Sequence, residues 1–268
     1  MNVAHRWLCH SAYWRNAVET YIFPWVLNGL DIGGNVLEVG PGPGVTTDLL
    51  RGRVERLTCV EIDRVFADSL SRRMSGHNVT VVQQDATAMS FPDATFDAAL
   101  SFTMLHHVPS EGMQNRLLAE VARVLRPGGV FAGTDSLYSR SFRLLHLLDT
   151  MVVVDPNTFP ERLRKAGFAD VQVDVLKPYA FRFRARKAAT TSQADGGQRV
   201  SAPPPTRLCS EGVLILGIRS RKFLKVMPPR RGSPLPQQVF ATAVWAPVCE
   251  RVAASPAPAN RPEGTFPW

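Results

Sequence analysis

Cysteine is scarce in this chain and is not clustered. The four cysteines lie far apart, at Cys9, Cys59, Cys209 and Cys249, and no two of them form a C-x-x-C pair. Closely spaced cysteine pairs are typical of zinc sites, and regularly spaced even sets are typical of disulfide-bonded secreted domains. We therefore expect no metal site and a reduced, cytoplasmic compartment.

Long apolar runs are also missing. The apolar run at residues 212–218 is far shorter than the roughly 20 residues that a helix needs to span a bilayer. The first 36 residues contain no basic segment followed by an apolar core and a small-residue cleavage site, which a signal peptide requires. The sequence therefore predicts neither a membrane span nor a signal peptide.

A lysine is missing from the glycine-rich segment at residues 38–47. This segment follows an apolar, strand-like stretch, which is where an open α/β sheet presents a ligand site. A P-loop requires Gly-Lys-Ser/Thr, but no lysine follows Gly44 before Lys165. A dinucleotide-binding loop requires G-x-G-x-x-G, but Val45 stands where the third glycine is needed. Both nucleotide-binding classes are therefore disfavoured.

The glycine pattern that is present, Glu38-x-Gly40-x-Gly42-x-Gly44, resembles the first motif of class I S-adenosylmethionine-dependent methyltransferases. Glycine has no Cβ and tolerates positive φ, so the backbone can approach a ligand closely there. Residues 30–187 carry further landmarks of that family in order, in the manner of its small-molecule, "methyltransferase type 11" branch. The resemblance implies S-adenosyl-L-methionine as the cofactor.

Acidic residues follow the next two predicted strands. Glu61 ends the strand predicted at residues 57–62, about twenty residues after the loop, where a ribose is held through its hydroxyls. Ile62 would pack against the adenine, and Asp63 is expected to cap the following helix. Asp85 follows the strand predicted at residues 79–83, and the resemblance implies that it binds the adenine amino group. The complete predicted cofactor set is Glu38, Gly40, Pro41, Gly42, Gly44, Glu61, Ile62, Asp85, Ala86 and Ser101.

Two adjacent histidines are the candidate catalytic residues. His106 and His107 follow the fourth predicted strand, close to where the resemblance places the transferable methyl group. Methyl transfer is a direct displacement, and a base is needed only when the nucleophile carries a proton. An imidazole is able to accept such a proton near neutral pH. The alternative is that one histidine fills a wall of the pocket while the other faces solvent or caps the next helix.

The resemblance implies an α/β, Rossmann-like, doubly wound sheet of seven strands in the order 3-2-1-4-5-7-6. Alternating residues at 171–175 and 181–186 predict two antiparallel neighbours, and the arginines of the second are expected to form a solvated face. Aromatic residues at helical spacing predict N-terminal helices that flank the domain. The predicted organisation is an N-terminal helical cap at 1–30, a methyltransferase domain at 31–187 and an extension at 188–268.

The extension has a composition of its own. Residues 188–268 hold 12 of the 21 prolines, 10 Lys and Arg but 4 Asp and Glu, and so carry +6 of the net charge of +8. Such a proline-rich, basic segment is expected to be largely disordered. The pI near 9.8 therefore describes the extension rather than the preceding domain.

Three functions remain open from the sequence. A small-molecule methyltransferase, acting on a quinone, lipid or other metabolite, is favoured by the Leu-His-His and Leu-Arg-Pro-Gly-Gly segments. An RNA methyltransferase would use the basic extension, but the Asn/Asp-x-Pro-Tyr/Phe motif of base-amino methylating enzymes is absent after strand four, so nucleic acid is disfavoured as a partner. The third is a binding protein that keeps the fold without the reaction. The oligomeric state stays open.

Overall fold

The computed structural model describes residues 2–189. The predicted Pro-rich extension therefore lies outside the described residues from residue 190 onward. Seven strands form one sheet in the order β3-β2-β1-β4-β5-β7-β6. The strands are β1 Asn35–Val39, β2 Arg56–Glu61, β3 Val79–Gln83, β4 Phe96–Phe102, β5 Leu125–Ser136, β6 Phe168–Leu176 and β7 Ala180–Lys187.

Six strands run in the same direction, and β7 runs antiparallel to them between β5 and β6. The register pairs Val39 with Val60 and with Ser101, and Ser101 with Gly133. The carboxyl ends of β1, β2, β4 and β5 are therefore level along one edge of the sheet. The predicted strand order and the antiparallel last strand are both confirmed.

The helices cover both faces of the sheet. One face packs against the N-terminal helices and against α4 (Val45–Leu50) and α5 (Arg64–Arg73), and the other against α6 (Glu111–Val124) and α8 (Phe159–Lys165). The alternation along β1 shows the division. Val36 packs on the face that the N-terminal helices cover, while Leu37 and Val39 pack on the face that α6 and α8 cover. The helices are α1 Val3–His10, α2 Ala12–Ala17, α3 Phe23–Leu27, α4 Val45–Leu50, α5 Arg64–Arg73, α6 Glu111–Val124, α7 Arg140–Leu145 and α8 Phe159–Lys165, with a π-helical turn at Val18–Ile22.

Side-chain caps set the helix starts. Asp63 accepts hydrogen bonds from the amides of Val65 and Phe66, as predicted for the start of α5. Ser110 accepts one from the amide of Met113, so α6 begins at Glu111 rather than at Met113, where the apolar pattern begins. None of the helices described between residues 2 and 189 has both the length and the apolar character needed to cross a membrane.

The prediction that the arginines of β7 form a solvated face is wrong for two of them. Arg184 donates through one nitrogen to the carbonyls of Val26 and Asn28, at 2.7 and 2.8 Å. Arg182 donates to the carbonyl of Trp25 at 2.6 Å. These carbonyls lie at the C-terminal end of α3, where helical carbonyls lack intrahelical partners. The two arginines therefore fasten the N-terminal helices to the sheet.

We predict that Arg184→Met lowers the free energy of unfolding by about 1–3 kcal/mol, because two carbonyls lose a charged donor. Arg186→Met is the matched control, since Arg186 is exposed and makes one longer bond, 3.2 Å, to the carbonyl of Gly128. Urea unfolding followed by circular dichroism measures both. Equal effects of the two substitutions would contradict the fastening role.

Candidate functional site

A cavity of about 370 Å³ lies at the carboxyl edge of the sheet. It sits at the reversal of strand order beside β1 and β4, the position at which open α/β sheets bind ligands. The glycine loop and the ends of β2 and β3 line one part of it. The N-terminal helices and the segment after β4 line the other.

The glycine loop has the conformation that its sequence predicts. Gly40, Gly42 and Gly44 have φ values of +68°, +53° and +81°, which side chains with a Cβ rarely adopt. A Cβ on Gly40 would collide with Met104, whereas a Cβ on Gly42 would meet nothing within 4 Å. Gly42 therefore borders open cavity space, and its missing side chain leaves room for a ligand.

Glu38 does not line the cavity. Its carboxylate is fully buried and accepts hydrogen bonds from the hydroxyls of Thr46 and Thr47, the latter at 2.6 Å, and from the thiol of Cys59 at 3.4 Å. Burial raises the pKa of Glu38, while the two hydroxyls act in the opposite direction. Glu38 therefore ties β1 to the first turn of α4 beneath the loop, and its predicted part in cofactor binding is indirect.

Glu61 lies in the cavity wall, as the sequence predicts. Its Oε2 accepts a hydrogen bond from the amide of Gly42, and its Oε1 accepts one from the amide of Asp63, both at 2.9 Å. Burial raises the pKa of Glu61, and these amides oppose the shift. The neighbouring side chain of Ile62 is 64% exposed and lines the cavity, so it offers an apolar surface to a flat apolar group.

The other predicted cofactor residues divide into two groups. Pro41, Asp85 and Ala86 line the cavity together with Gly40, Gly42, Glu61 and Ile62. Asp85 accepts a hydrogen bond from the amide of Thr87 and is partly exposed. Gly44 and Ser101 lie outside the lining, Gly44 under the side chains of Leu70 and Arg73 and Ser101 fully buried in the sheet.

The chain turns sharply after β4. Thr103 has a φ of +49°, which is strained for a β-branched residue, and its amide donates to the carbonyl of Thr134 at 2.8 Å. The turn leads into one 3₁₀ turn at Leu105–His107. His106 and His107 are thereby brought to the cavity wall.

His106 forms a buried pair with Asp135, which follows Thr134 on β5. The His106 Nδ1 atom lies 2.5 Å from Asp135 Oδ1, and the backbone amide of His106 donates to Oδ2 at 3.2 Å. Because a carboxylate only accepts, Nδ1 carries the proton and Nε2 is left as the acceptor. Nε2 is buried and has no hydrogen-bond partner among the described residues.

Three further imidazoles surround His106. His5 from α1, His107 and His146 lie with ring centroids 4.4 to 5.3 Å apart, and the His106 ring lies 4.2 Å from that of His107. Burial, followed by the charges of His146 and His106, lowers the pKa of His5 to about 4. Burial is also the main cause that lowers the pKa of His107 and of His146. These three rings are therefore neutral at neutral pH.

The sequence reasoning missed Asp135, His5 and His146. Asp135 carried a usable signal, because it is an acidic residue after the Leu-Arg-Pro-Gly-Gly segment and lies near the end of β5, at the same sheet edge as Glu61. His5 and His146 carried none, because they are 141 positions apart and meet only through the packing of α1 against the segment after α7. That packing depends on Asn2, whose side-chain amide donates to the carbonyls of Leu145 and Leu147 at 2.7 and 3.0 Å.

Comparison with known proteins identifies a methyltransferase domain in this chain. Residues 37–133 match the family model described as a methyltransferase domain. The fatty-acid O-methyltransferase of Mycolicibacterium smegmatis is 38% identical over 107 residues, which are 39% of this chain and 38% of that protein. The ribosomal RNA small subunit methyltransferase A of Fusobacterium nucleatum is 40% identical over 60 residues, 22% of this chain and 23% of that protein. The chain spans between about a quarter and a half of the length of the curated relatives that it matches.

A solved structure matches the fold. Phosphoethanolamine N-methyltransferase 2 of Haemonchus contortus, in complex with S-adenosyl-L-methionine, has a TM-score of 0.57 at 16% identity and covers 69% of this chain and 56% of that chain. At that identity the likeness concerns the architecture alone. It agrees with the seven-stranded order found here.

We predict that Gly42→Val weakens binding of S-adenosylhomocysteine at least tenfold, because the new side chain projects into the cavity. Gly76→Val is the matched control: Gly76 also has a positive φ, +81°, and also borders open space, but it lies outside the cavity lining. The two variants therefore share the backbone strain and differ in the steric block. Calorimetric titration checks the prediction, and equal affinities of two folded variants would contradict this placement of the site.

Proposed function

The chain carries a domain of the class I S-adenosylmethionine-dependent methyltransferase family, and from that premise we propose that it methylates a small apolar molecule whose nucleophile is a hydroxyl group. The observation that carries the proposal is one cavity with two chemically different ends. Glu61, Asp85 and the glycine loop line one end, and the Asp135–His106 pair lies at the other.

The first end suits the cofactor. Gly42 leaves open space, Glu61 offers carboxylate oxygens that suit ribose hydroxyls, and Ile62 offers an exposed apolar surface beside them. Asp85 supplies an acceptor for the adenine amino group, as the family resemblance implies. When bound, S-adenosylmethionine supplies an electrophilic methyl group. The protein's share of the reaction is then mainly to align the acceptor and to exclude water.

The second end suits an apolar acceptor. Aromatic and aliphatic side chains from the N-terminal helices and from the segments after β4 and β5 line it, with Trp14, Ile22, Phe102, Met113, Phe142 and Leu145 among them. No lysine or arginine from residues 2–189 lines the cavity. Anionic acceptors with several charges, such as nucleic acid phosphates, therefore find no counter-charge there.

The Asp135–His106 pair suits an acceptor that must lose a proton. Asp135 holds the Nδ1 proton of His106, which lines the cavity, and so leaves Nε2 without a proton as the base. Accepting the hydroxyl proton there leaves a positive imidazolium, which the buried carboxylate of Asp135 stabilises. His107 has no such carboxylate among its described contacts, so we assign the base to His106 and a different role to His107.

RNA methylation is the second candidate, because one relative named above acts on ribosomal RNA by its name. That relationship covers only 60 residues, 22% of this chain. The segment that follows β4 reads Phe102-Thr103-Met104 and lacks the motif that grips a base amino group. A cofactor-binding protein without turnover is the third candidate.

The test uses the full chain. Calorimetric titration with S-adenosylhomocysteine comes first, followed by transfer of labelled methyl groups to a hydroquinone, a long-chain fatty acid and a ribosomal RNA fragment. We expect saturable binding and labelling of the hydroquinone. Labelling of RNA alone, with strong dependence on salt, would favour the second candidate, and binding without any labelling would favour the third.

We predict that His106→Gln lowers kcat for a hydroxyl acceptor by about 10²–10⁴-fold, because general-base catalysis is lost. The affinity for S-adenosylhomocysteine should change little. Asp135→Asn should act in the same direction through the orientation of His106, as a positioning residue. His77→Gln is the control, since His77 is exposed and lies outside the cavity.

A second readout separates a base from a merely structural residue. The loss caused by His106→Gln should shrink as the acceptor hydroxyl becomes more acidic, because an ionised nucleophile needs no base. Rates for a series of substituted phenols measure this trend. A loss that is equal for all acceptors would contradict the assignment of His106 as the base.

A further inference from the structure

We propose that His5, His107 and His146 form a binding site for a divalent transition-metal ion, with zinc as the best match. The site is separate from the residues assigned above to the cofactor and to proton transfer. Within residues 2–189 these three side chains are the group of histidine, cysteine and carboxylate residues that converges closely enough to hold an ion.

The geometry carries the proposal. Each of the three residues offers one ring nitrogen, and the three nitrogens lie within 4.8 Å of one another. Zinc binds imidazole nitrogen at about 2.0–2.1 Å, so two nitrogens on one tetrahedral ion lie roughly 3.4 Å apart. Small rotations of the rings supply the remaining approach. The three ligands come from α1, from the 3₁₀ turn after β4 and from the segment after α7, so the fold assembles them from distant parts of the chain.

The surroundings of His146 supply an independent observation. His146 is 3% exposed, and its Nδ1 lies 2.8 Å from the carbonyl of Phe142. A carbonyl only accepts, so Nδ1 carries the proton and Nε2 is free to bind a metal. Nε2 is buried and has no hydrogen-bond partner among the described residues. A ligating histidine almost always donates its other N–H to a carbonyl or a carboxylate in this way.

His5 shows a related arrangement. The Asp149 Oδ2 atom lies 3.5 Å from the Nδ1 of His5, so a carboxylate stands beside the ring. The same Oδ2 accepts a hydrogen bond from the amide of Asn2, which caps α1. Carboxylates in this position orient the ring and raise its basicity as a ligand. Asp149 also offers nearby negative charge that offsets the charge of a divalent cation.

The cavity gives an ion access to the three histidines. His5 and His107 line the cavity, and His146 lies behind them. Three protein ligands leave at least one position open on a tetrahedral ion, which is the pattern of catalytic rather than structural zinc. Because His5 and His107 line the cavity, an oxygen of the acceptor would complete the coordination from that side. This last step rests on the proposed function, whereas metal binding itself does not.

The experiment titrates the full, chelator-treated chain with Zn²⁺ by calorimetry and with Co²⁺ by visible absorption. We expect one ion per chain and a Co²⁺ spectrum of a four- or five-coordinate nitrogen and oxygen site, without thiolate charge-transfer absorption. The double variant His5→Ala with His146→Ala should lose this binding. Asp149→Asn should weaken it by roughly 10–100-fold, as other outer-shell substitutions do.

The controls fix what each result means. His77→Ala replaces an exposed histidine away from the cluster and should bind as tightly as the native chain. Absence of Zn²⁺ binding by the native chain would overturn the proposal, as would thiolate absorption or unchanged affinity in the double variant. Calorimetry with S-adenosylhomocysteine on the same samples separates the two proposals. Cofactor binding without metal binding overturns only the metal site, and metal binding without cofactor binding overturns only the methyltransferase function.

Discussion

The geometry of the cavity depends on one buried carboxylate, that of Glu38. A carboxylate that loses water must gain donors, and Glu38 gains the hydroxyls of Thr46 and Thr47. These bonds hold the first turn of α4 against the end of β1, so the five residues between them must cross a short, fixed gap. The loop makes that crossing with positive φ at Gly40, Gly42 and Gly44, and the amide of Gly42 donates to Glu61.

A second buried carboxylate, Asp135, has the corresponding role at the acceptor end. It receives the ring N–H and the backbone amide of His106 and the amide of Ser136. The strained turn at Thr103 is held by this and by the bond from Thr103 to Thr134. Strain of this kind persists only where surrounding contacts over-determine it. These contacts leave one ring nitrogen of His106, which lines the cavity, without a partner among the described residues.

Local sequence patterns were sufficient for the strands, the glycine loop and the cap at Asp63, because each depends on residues within one turn or one strand. The role of Glu38 was harder to predict, since an acidic residue beside a glycine-rich loop suggests a ligand-binding residue until its hydroxyl partners are known. Arg184 and Asn2 show the limit more clearly. Both bind carbonyls on elements more than 140 positions away, and carbonyls are present in every residue, so no side-chain pattern marks the partner.

The distribution of charge in the cavity gives the two ends different preferences. Glu61, Asp63 and Asp85 border the cofactor end, and no lysine or arginine from residues 2–189 lines any part of the cavity. Carboxylates in such a weakly screened site favour a sulfonium cation over the neutral thioether that remains after methyl transfer. The same residues that hold the cofactor would therefore release its product more readily. At the other end, three neutral imidazoles and apolar side chains surround the Asp135–His106 pair, and Asp149 beside His5 is the carboxylate that lines this end. Carboxylates around the cofactor and a histidine held by Asp135 thus allow one cavity to bind a cation and to deprotonate a neutral acceptor.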